Sequence, residues 1–383
     1  MNKYLFDAVE LTPASGKSIG IYRYAVGLAF SIAAQLREDE SLLVVCNGSN
    51  IADFKALSSL RGVQLVTLRP EMPGHVWRQW WTRLGCALFV RKVGATLYFS
   101  PKGFIPRTWS WPAQVKRVCT IHDLIPFWYF ERWPSYFGRL ETRLVGDAFK
   151  HAMAEADQIV AISSDTSLAL QAAGVMPDRV SRVLNGVDEA KPCPPRDCLP
   201  QGLPNNFVFA MASQLPHKNL AGVLSAYATY RQLAGAHALP LALCGTTEVT
   251  QEGVMALGRV SQEALDALYG HASAFLFLSL IEGFGYPPIE ALRMGTPVIA
   301  SDLQVFHEVC GDLARYANPI DAHAVALQLQ EALATPLTPE ARASLAAQAR
   351  QRIRDQLSWT QCGAGVLRSW RSQVARPAQG GVA

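Results

Sequence analysis

Short apolar runs alternate with helical segments along the whole chain. The apolar runs, many of them rich in β-branched residues, predict strands at 42–46, 64–68, 96–100, 117–121, 158–163, 207–212, 240–245, 274–279 and 297–301. The segments between them favour helices, for example at 20–37, 139–156, 218–235 and 261–272. Because strands that are apolar on both sides need cover on both faces, this alternation predicts parallel sheets with helices on each face.

A proline-rich segment divides the pattern into two near-equal halves. Residues 189–204 hold five prolines in sixteen residues and show no periodicity, which is typical of a linker. We therefore predict an α/β protein with two doubly wound, Rossmann-like domains, residues 1–188 and 205–355, that face each other across a cleft. Ligands of such folds bind outside the carboxyl ends of the parallel strands.

The composition indicates a globular protein with large cores. Half of the 383 residues are hydrophobic and 17% are charged. No apolar run approaches the ~18 to 20 residues that span a bilayer. The N-terminal sequence places Asp7 and Glu10 where a signal peptide would need its apolar segment, and this favours a cytoplasmic protein.

The eight cysteines are scattered, and in a cytoplasm they are expected to be reduced thiols. Only Cys193 and Cys198 lie close together in the sequence. A zinc site would need a second pair of ligands, so we predict no metal site.

The net charge of +4 is concentrated in one region. Residues 69–150 carry 13 basic and 5 acidic side chains, together with seven of the nine tryptophans. Basic residues interleaved with tryptophan suit an anionic membrane surface, where indole rings settle among the headgroups. Single-stranded nucleic acid would also suit this composition, but we predict no nucleic-acid partner. A tryptophan-rich core with a basic solvated rim remains an equally good explanation.

The stretch SLIEGFGYPPIEALRMGTPVIASD at 279–302 joins a buried strand to a helix through a glycine–proline loop. Gly283 and Gly285 allow a ligand to approach the backbone, and the helix N-terminus that follows favours phosphate. Glu282 precedes the loop and Glu290 lies in the first helical turn, where carboxylates can accept hydrogen bonds from sugar hydroxyls. The stretch therefore predicts a nucleotide-sugar site. An ordinary strand–loop–helix turn with two surface acids is the alternative.

The pattern E-G-F-G-x-P-x-x-E resembles the E-x7-E signature of the retaining glycosyltransferases of family 4, which have the two-domain GT-B fold. The resemblance covers nearly the whole chain in the family's order, with further motifs at 121–126, 160–170, 184–188, 212–220, 257–272, 305–321 and 357–363. It implies that residues 356–383 form a helix that returns to the N-terminal domain, followed by a tail.

The resemblance implies a donor site in the second domain. Glu282 would contact the transferred sugar, Glu290 would hold the ribose hydroxyls, and Lys218 would stabilise the departing diphosphate. An arginine that many family members carry before the lysine is replaced by Ser213, so that His217 or the serine hydroxyl would take its place. The other implied donor contacts are Gly20, Val260, Gly283, Phe284, Gly285 and Tyr286.

In the first domain the resemblance places His122 at the reaction centre, so that the implied catalytic residues are His122, Glu282 and Lys218. Gly16, Arg23 and Asp123 are the implied acceptor-side residues. From the residues alone, a histidine beside an aspartate is more often a structural pair. A glycine loop followed by an arginine is as often a helix cap.

The motifs HDLIP, HKN, EGFGYPP and HEVCGD look most like the bacterial enzymes that use GDP-mannose to build exopolysaccharide or O-antigen units. The resemblance implies a retaining α-mannosyltransferase without metal or cofactor, acting on a polyprenyl-diphosphate-linked oligosaccharide at the inner face of the bacterial membrane. The alternatives are a UDP-glucose or UDP-GlcNAc donor, a nucleotide-sugar epimerase, or a non-catalytic sugar- or lipid-binding protein. A nicotinamide oxidoreductase is disfavoured because no G-x-G-x-x-G follows the first strand.

Overall fold

A computed structural model of the protein describes residues 2–13, 19–68, 80–188 and 192–375. Its contacts divide the chain into two compact units. The first unit comprises residues 1–186 and 357–383, and the second comprises residues 187–356.

The described part of the first unit contains a seven-stranded parallel sheet with the strand order β3-β2-β1-β4-β5-β6-β7. Its strands are β1 (Asn2–Asp7), β2 (Glu40–Cys46), β3 (Val63–Thr67), β4 (Leu97–Ser100), β5 (Lys116–Ile121), β6 (Gln158–Ala161) and β7 (Val180–Arg182). Its helices are α1 (Ile19–Ala33), α2 (Ile51–Phe54), α3 (Cys86–Val93), α4 (Ile125–Arg132), α5 (Arg139–Glu155), α6 (Ser164–Ala172) and α13 (Trp359–Ala375). A π-helical turn, Trp81–Gly85, leads directly into α3.

Both faces of this sheet are buried. Successive side chains of a strand point to opposite faces, and in β1 Tyr4 and Phe6 join one apolar cluster while Leu5 joins the other. All seven residues of β2 are buried. Continuous apolar strands are what a parallel sheet between two helical layers requires.

The C-terminal helix α13 packs in the first unit. Trp370 is fully buried, with its ring centroid 5.2 Å from that of Tyr4 and 4.8 Å from that of Phe99. Arg371 pairs with the buried carboxylate of Glu40, with 2.7 Å between Nε and Oε1. At the start of the helix, the indole of Trp359 fits between Gly27 and Gly186, where any Cβ would collide with the ring. The last turns of the chain are therefore part of the first unit's core.

The second unit contains a six-stranded parallel sheet with the order β10-β9-β8-β11-β12-β13. Its strands are β8 (Val208–Met211), β9 (Leu241–Cys244), β10 (Val254–Gly258), β11 (Ala274–Phe277), β12 (Val298–Ser301) and β13 (Arg315–Ala317). Its helices in the described residues are α7 (Leu220–Ala234), α8 (Gln262–His271), α9 (Tyr286–Leu292), α10 (Gln304–Cys310), α11 (Ala322–Ala334) and α12 (Pro339–Gln356).

Each sheet reverses its strand order at one point. The reversal falls between β1 and β4 in the first unit and between β8 and β11 in the second. At such a switch point the loops on either side turn away from each other, which opens a crevice at the carboxyl ends of the strands. Ligands of doubly wound folds bind in crevices of this kind.

The prediction of two doubly wound α/β units is confirmed, and each of the nine predicted strands is present. Four further strands were not predicted. The first, β1, begins with Asn-Lys and ends in a charged residue, and β10 (Val254–Gly258) reads as helical from its Met-Ala-Leu sequence. The other two, β7 and β13, are three-residue edge strands that contain arginine.

The proline-rich segment differs from the predicted linker. The division between the units falls between Gly186 and Val187, and the described residues 192–204 belong to the second unit. Arg196 donates to the carbonyl of Pro204 (3.3 Å), and the ring of His271 donates to the carbonyl of Pro194 (2.8 Å). Proline removes backbone donors and periodicity without preventing such packing.

Within the described residues, no helix is both long and apolar enough to cross a membrane.

We expect Gly27→Ala to lower the free energy of unfolding of the first unit by about 1 to 3 kcal/mol, because the new Cβ would lie 2.5 Å from the Trp359 ring. That ring cannot withdraw without meeting Gly186. The matched control is Gly20→Ala in the same helix, where an added Cβ would meet no described atom within 4 Å. It should leave stability unchanged or raise it slightly, since alanine favours helices. Equal urea-unfolding curves for the two variants would contradict this packing.

Candidate active site

The predicted donor half-site lies at the switch point of the second sheet. Two loops leave neighbouring strands here, residues 212–219 after β8 and residues 278–285 after β11. The N–H of Leu280 donates to the carbonyl of His217 at 2.8 Å, which ties the two loops together. Side chains that are far apart in the sequence are thereby brought to one place.

Lys218 and Glu282 form an ion pair across these loops. Their Nζ and Oε1 atoms are 2.5 Å apart, and the Lys218 ammonium lies 5.6 Å from the ring centroid of Phe277. Both groups are mostly shielded from water, with 27% and 12% of their side-chain surface exposed. The surroundings therefore weaken their attraction less than water would. The crevice thus holds a cation and a carboxylate side by side.

Asn219 fixes the backbone beside Lys218. Its φ of 53° lies in the left-handed region, and no other non-glycine residue in the described part of the chain has a positive φ. Its Nδ2 donates to the carbonyls of Leu278 (3.0 Å) and Pro319 (2.9 Å), while its Oδ1 caps α7 through the N–H of Gly222 (3.2 Å). Asparagine tolerates this conformation because its short side chain bonds locally. Sequence reasoning missed this residue, although an asparagine before a helix is a capping signal.

The loop after Glu282 is tightly packed. Gly285 has a φ of 81°, and a Cβ on it would lie 2.3 Å from the ring of Phe306. Gly283 and Phe284 are buried, and the Phe284 ring centroid lies 4.9 Å from that of Tyr286. The helix α9 that follows has seven residues, and its second and third are prolines without N–H groups. Its N-terminus therefore offers fewer donors than the sequence analysis assumed.

Glu290 lies in the second turn of α9, not in the first. The two prolines suggested a later helix start, but the helix begins at Tyr286, which makes Glu290 its fifth residue. Glu290 is also buried, with 4% of its surface exposed. The alternative of two surface acids is therefore wrong for this residue.

His217 does not supply a second cation at pH 7 in place of the missing arginine. This ring is buried, and burial together with the neighbouring Lys218 cation lowers the pKa of His217 to about 4, so the ring is neutral at pH 7. Ser213 is half-buried, and its Oγ accepts from the N–H of Leu215 at 3.5 Å. Val260 follows β10 and is also half-buried.

His122 lies directly after β5 and is held from three sides. Its Nε2 is 2.7 Å from the carbonyl oxygen of Pro101, and its ring meets that of Tyr24 edge-on with centroids 4.8 Å apart. The backbone carbonyl of His122 accepts from the hydroxyl of Thr166 at 3.1 Å. Sequence reasoning missed Tyr24, whose hydroxyl also bonds that of Thr120 at 2.9 Å.

These contacts decide the protonation of His122. Because a carbonyl can only accept, Nε2 carries the proton, and in the neutral ring Nδ1 holds the lone pair. Burial lowers the pKa of His122 to about 4, although the bond to Pro101 opposes this shift. The ring is therefore a neutral group of fixed orientation at pH 7, able to accept a hydrogen bond at Nδ1.

The other site residues predicted in the first unit lie in different environments. The Asp123 carboxylate accepts from the N–H of Ile125 at 3.0 Å and so orders the start of α4. Arg23 lies half-buried in the second turn of α1, and Gly20 is exposed in its first turn. Gly16 lies outside the described residues.

The two parallel-sheet units and the family models that match them define the chain as a glycosyltransferase. The chain matches the family described as "Glycosyltransferase Family 4" over residues 22–191 and the one described as "Glycosyl transferases group 1" over residues 200–352. It belongs to the family 4 glycosyltransferases.

Curated relatives share its sequence at modest identity. The chain is 28% identical over 223 residues to "O-antigen chain mannosyltransferase RfbU" of Salmonella typhimurium, a match that covers 55% of this chain and 59% of that protein. It is 26% identical over 387 residues to "O-antigen chain mannosyltransferase B" of Escherichia coli, with 92% and 96% covered. The solved structure of Anabaena HepE with UDP and glucose shares the fold, with a TM-score of 0.63, 17% identity, and 97% and 100% of the two chains covered.

We expect the stability of the wild type, relative to His122→Gln, to fall as the pH decreases from about 6.5 to about 4. Between these pH values His122 takes up a proton in the unfolded chain but not in the folded chain. Protonation therefore stabilises the unfolded state relative to the folded state. Above pH ~7 the difference in the free energy of unfolding between the two proteins should be constant. Urea unfolding of both proteins across this range provides the measurement. A difference that does not change with pH would show that His122 titrates alike in both states.

Proposed function

We propose that this protein is a retaining α-mannosyltransferase that transfers mannose from GDP-mannose to a lipid-linked oligosaccharide in O-antigen or exopolysaccharide synthesis. The observation that carries the proposal is the Lys218–Glu282 pair at the switch point of the second sheet, with Glu290 buried nearby in sequence on α9. The likeness to two O-antigen mannosyltransferases supports the choice of mannose and of this pathway class.

In the proposed donor complex the ion pair exchanges partners. The Lys218 ammonium donates to diphosphate oxygens, and the Glu282 carboxylate then accepts from hydroxyls of the sugar. Because these groups already lie 2.5 Å apart, little rearrangement is needed within the second unit. Glu290 supplies a further acceptor for the ribose hydroxyls.

The proposed chemistry exchanges one bond at the sugar C1 atom. The bond from C1 to the phosphate oxygen breaks, and C1 bonds to the acceptor hydroxyl oxygen on the same face of the ring. The hydroxyl proton passes to the departing phosphate oxygen. Neutral His122 contributes hydrogen bonding to the transferred sugar, and Lys218 offsets the charge that develops on the diphosphate. We propose that this charge compensation operates without a metal ion.

We expect GDP and GDP-mannose, without added metal and with EDTA present, to raise the melting temperature, since a ligand that binds the folded state stabilises it. Glu282→Gln should keep this shift and lower sugar transfer on the order of 100-fold. The matched control is Glu340→Gln, an exposed carboxylate on α12, which should retain both the shift and the activity.

The outcomes separate the alternatives. A shift with UDP-sugars instead would keep the mechanism and replace the donor. Release of an epimerised donor without acceptor would indicate an epimerase, and binding without turnover in any acceptor mixture would indicate a binding protein. No shift with any nucleotide-sugar would overturn the donor site.

The proposal includes attachment to an anionic membrane surface through the helical segment 80–93. Trp80, Leu84 and Leu88 recur every four residues on its outer face and are 42%, 45% and 57% exposed. The segment carries Arg83, Arg91 and Lys92, all of them exposed, and its sequence contains no acidic residue. An apolar stripe flanked by cations suits the interface of an anionic bilayer.

We expect the triple variant Arg83→Ala, Arg91→Ala, Lys92→Ala to bind phosphatidylglycerol vesicles on the order of 100-fold more weakly, at about 1 kcal/mol per cation. Cosedimentation measures this, with phosphatidylcholine vesicles as the neutral reference. The control Arg315→Ala, Arg350→Ala, Arg354→Ala removes the same charge from exposed positions of the second unit. If both triple variants lose vesicle binding equally, the effect comes from net charge. If the first triple variant binds as well as the wild type, the segment 80–93 is not the membrane contact.

A further inference from the structure

A cavity of about 1040 Å³ opens at the switch point of the first sheet. Its deep end is formed by Asp7, which ends β1, and by Tyr98 and Ser100 of β4, all of them buried. Ligand pockets commonly occupy ~300 to 1,000 Å³, so this cavity is larger than a single sugar ring needs. Among the described residues, none of the site residues predicted from the sequence lines it.

Apolar residues from the loop after β4 and from α5 line the side walls: Phe104, Ile105, Pro106, Leu140, Leu144 and Val145. Charged side chains line the cavity as well, namely Glu10, Arg83, Lys102, Arg107, Glu141 and Asp147. Leu140 and Leu144 are 71% and 60% exposed, so they mark the mouth of the cavity. Exposed leucines at the entrance of a partly apolar cavity indicate an apolar occupant.

The polar group at the deep end is already engaged. The Asp7 carboxylate accepts from the indole of Trp81 (2.8 Å), the hydroxyl of Tyr98 (2.6 Å) and the N–H of Val9 (2.9 Å). These donors occupy both carboxylate oxygens. A sugar would have to compete with them, whereas a hydrocarbon chain would leave them undisturbed.

The cavity lies beside two features of the first unit: the helical segment 80–93 and the chain after β4 that bonds His122. Trp81, Thr82 and Arg83 line it, and they belong to the helical segment 80–93 with the exposed apolar stripe. At the deep end, Pro101 directly follows Ser100 and accepts the hydrogen bond from His122. His122 is thus bonded to the residue that follows the strand end at the deep end of the cavity.

We propose that this cavity holds the hydrocarbon chain of the lipid that carries the acceptor glycan, in particular the isoprenoid segment next to the diphosphate. The proposal rests on the proposed function, because it assigns the lipid part of that acceptor. The apolar residues of the walls, the exposed leucines at the mouth and the engaged carboxylate of Asp7 favour a chain over a sugar.

The test compares two acceptors that share one glycan, one linked to farnesyl diphosphate and one to a methyl group, in detergent without vesicles. Two variants address the cavity: Val145→Trp fills it, and Leu140→Ser with Leu144→Ser makes its mouth polar. Each should raise KM about tenfold for the farnesyl acceptor, as expected when the burial of a few methylenes is lost. KM for the methyl acceptor and for the donor should not change. Leu168→Ser, at an exposed leucine of α6, is the control.

Equal increases in KM for both acceptors would place the glycan in the cavity and overturn the proposal, and so would no increase for either. If the wild type transfers sugar to neither acceptor, the proposed function has failed and the cavity is tested by equilibrium binding instead. Farnesyl diphosphate should then quench tryptophan fluorescence where inorganic diphosphate does not, and Val145→Trp should weaken its binding. Binding that is unaffected by both cavity variants would overturn the inference.

Discussion

The burial of both faces of each parallel sheet is the constraint on which the functional chemistry depends. With helices on either side, strands such as β2 are buried along their whole length, and polar chemistry is displaced to the strand ends. The reversal of strand order then opens one crevice in each unit, between β1 and β4 and between β8 and β11. The residues that act on a ligand need only be placed in the loops beside these crevices.

In the second crevice a single cation is balanced by a carboxylate. Lys218 pairs with Glu282, and the neighbouring His217 is held neutral by burial and by the Lys218 charge. The left-handed backbone of Asn219 lets the chain turn from the lysine into α7 while its side chain bonds two carbonyls. The Asn219 bonds thus fix the backbone from which the Lys218 side chain extends, and the ion pair with Glu282 holds its ammonium group.

The first crevice has a different chemical character. Its carboxylate, Asp7, is buried among donors from Trp81 and Tyr98, and burial raises the pKa of Asp7 to about 6. The surrounding walls carry both apolar and charged side chains, and His122 at the neighbouring strand end is uncharged at pH 7. One crevice therefore holds an ion pair, whereas the other holds a buried carboxylate beside apolar surface.

Much of the fold followed from local signals. The strongly apolar strands and their alternation with helices were predicted correctly because each depends on side chains close together in the sequence. The glycine–proline loop after β11 was also predicted, but the helix that follows it begins at Tyr286, before the two prolines. The Glu282 and Lys218 positions were found through motif resemblance, and their meeting at 2.5 Å could not be inferred from a separation of 64 residues. Whether these residues carry the predicted roles is a question for the variants described above.

Other features were decided by tertiary structure. Strand β1 has a polar start and a charged end, and it becomes central because β2 and β4 pair with it on either side. Tyr24 contacts His122 only because α1 packs over β5, and Trp81 reaches Asp7 across 74 residues of sequence. The sequence by itself determined which segments are apolar strands and which carry the family's motifs. Tertiary structure decided which polar groups are buried together, and hence which are charged, because burial and neighbouring charges shift pKa values only after the chain has folded.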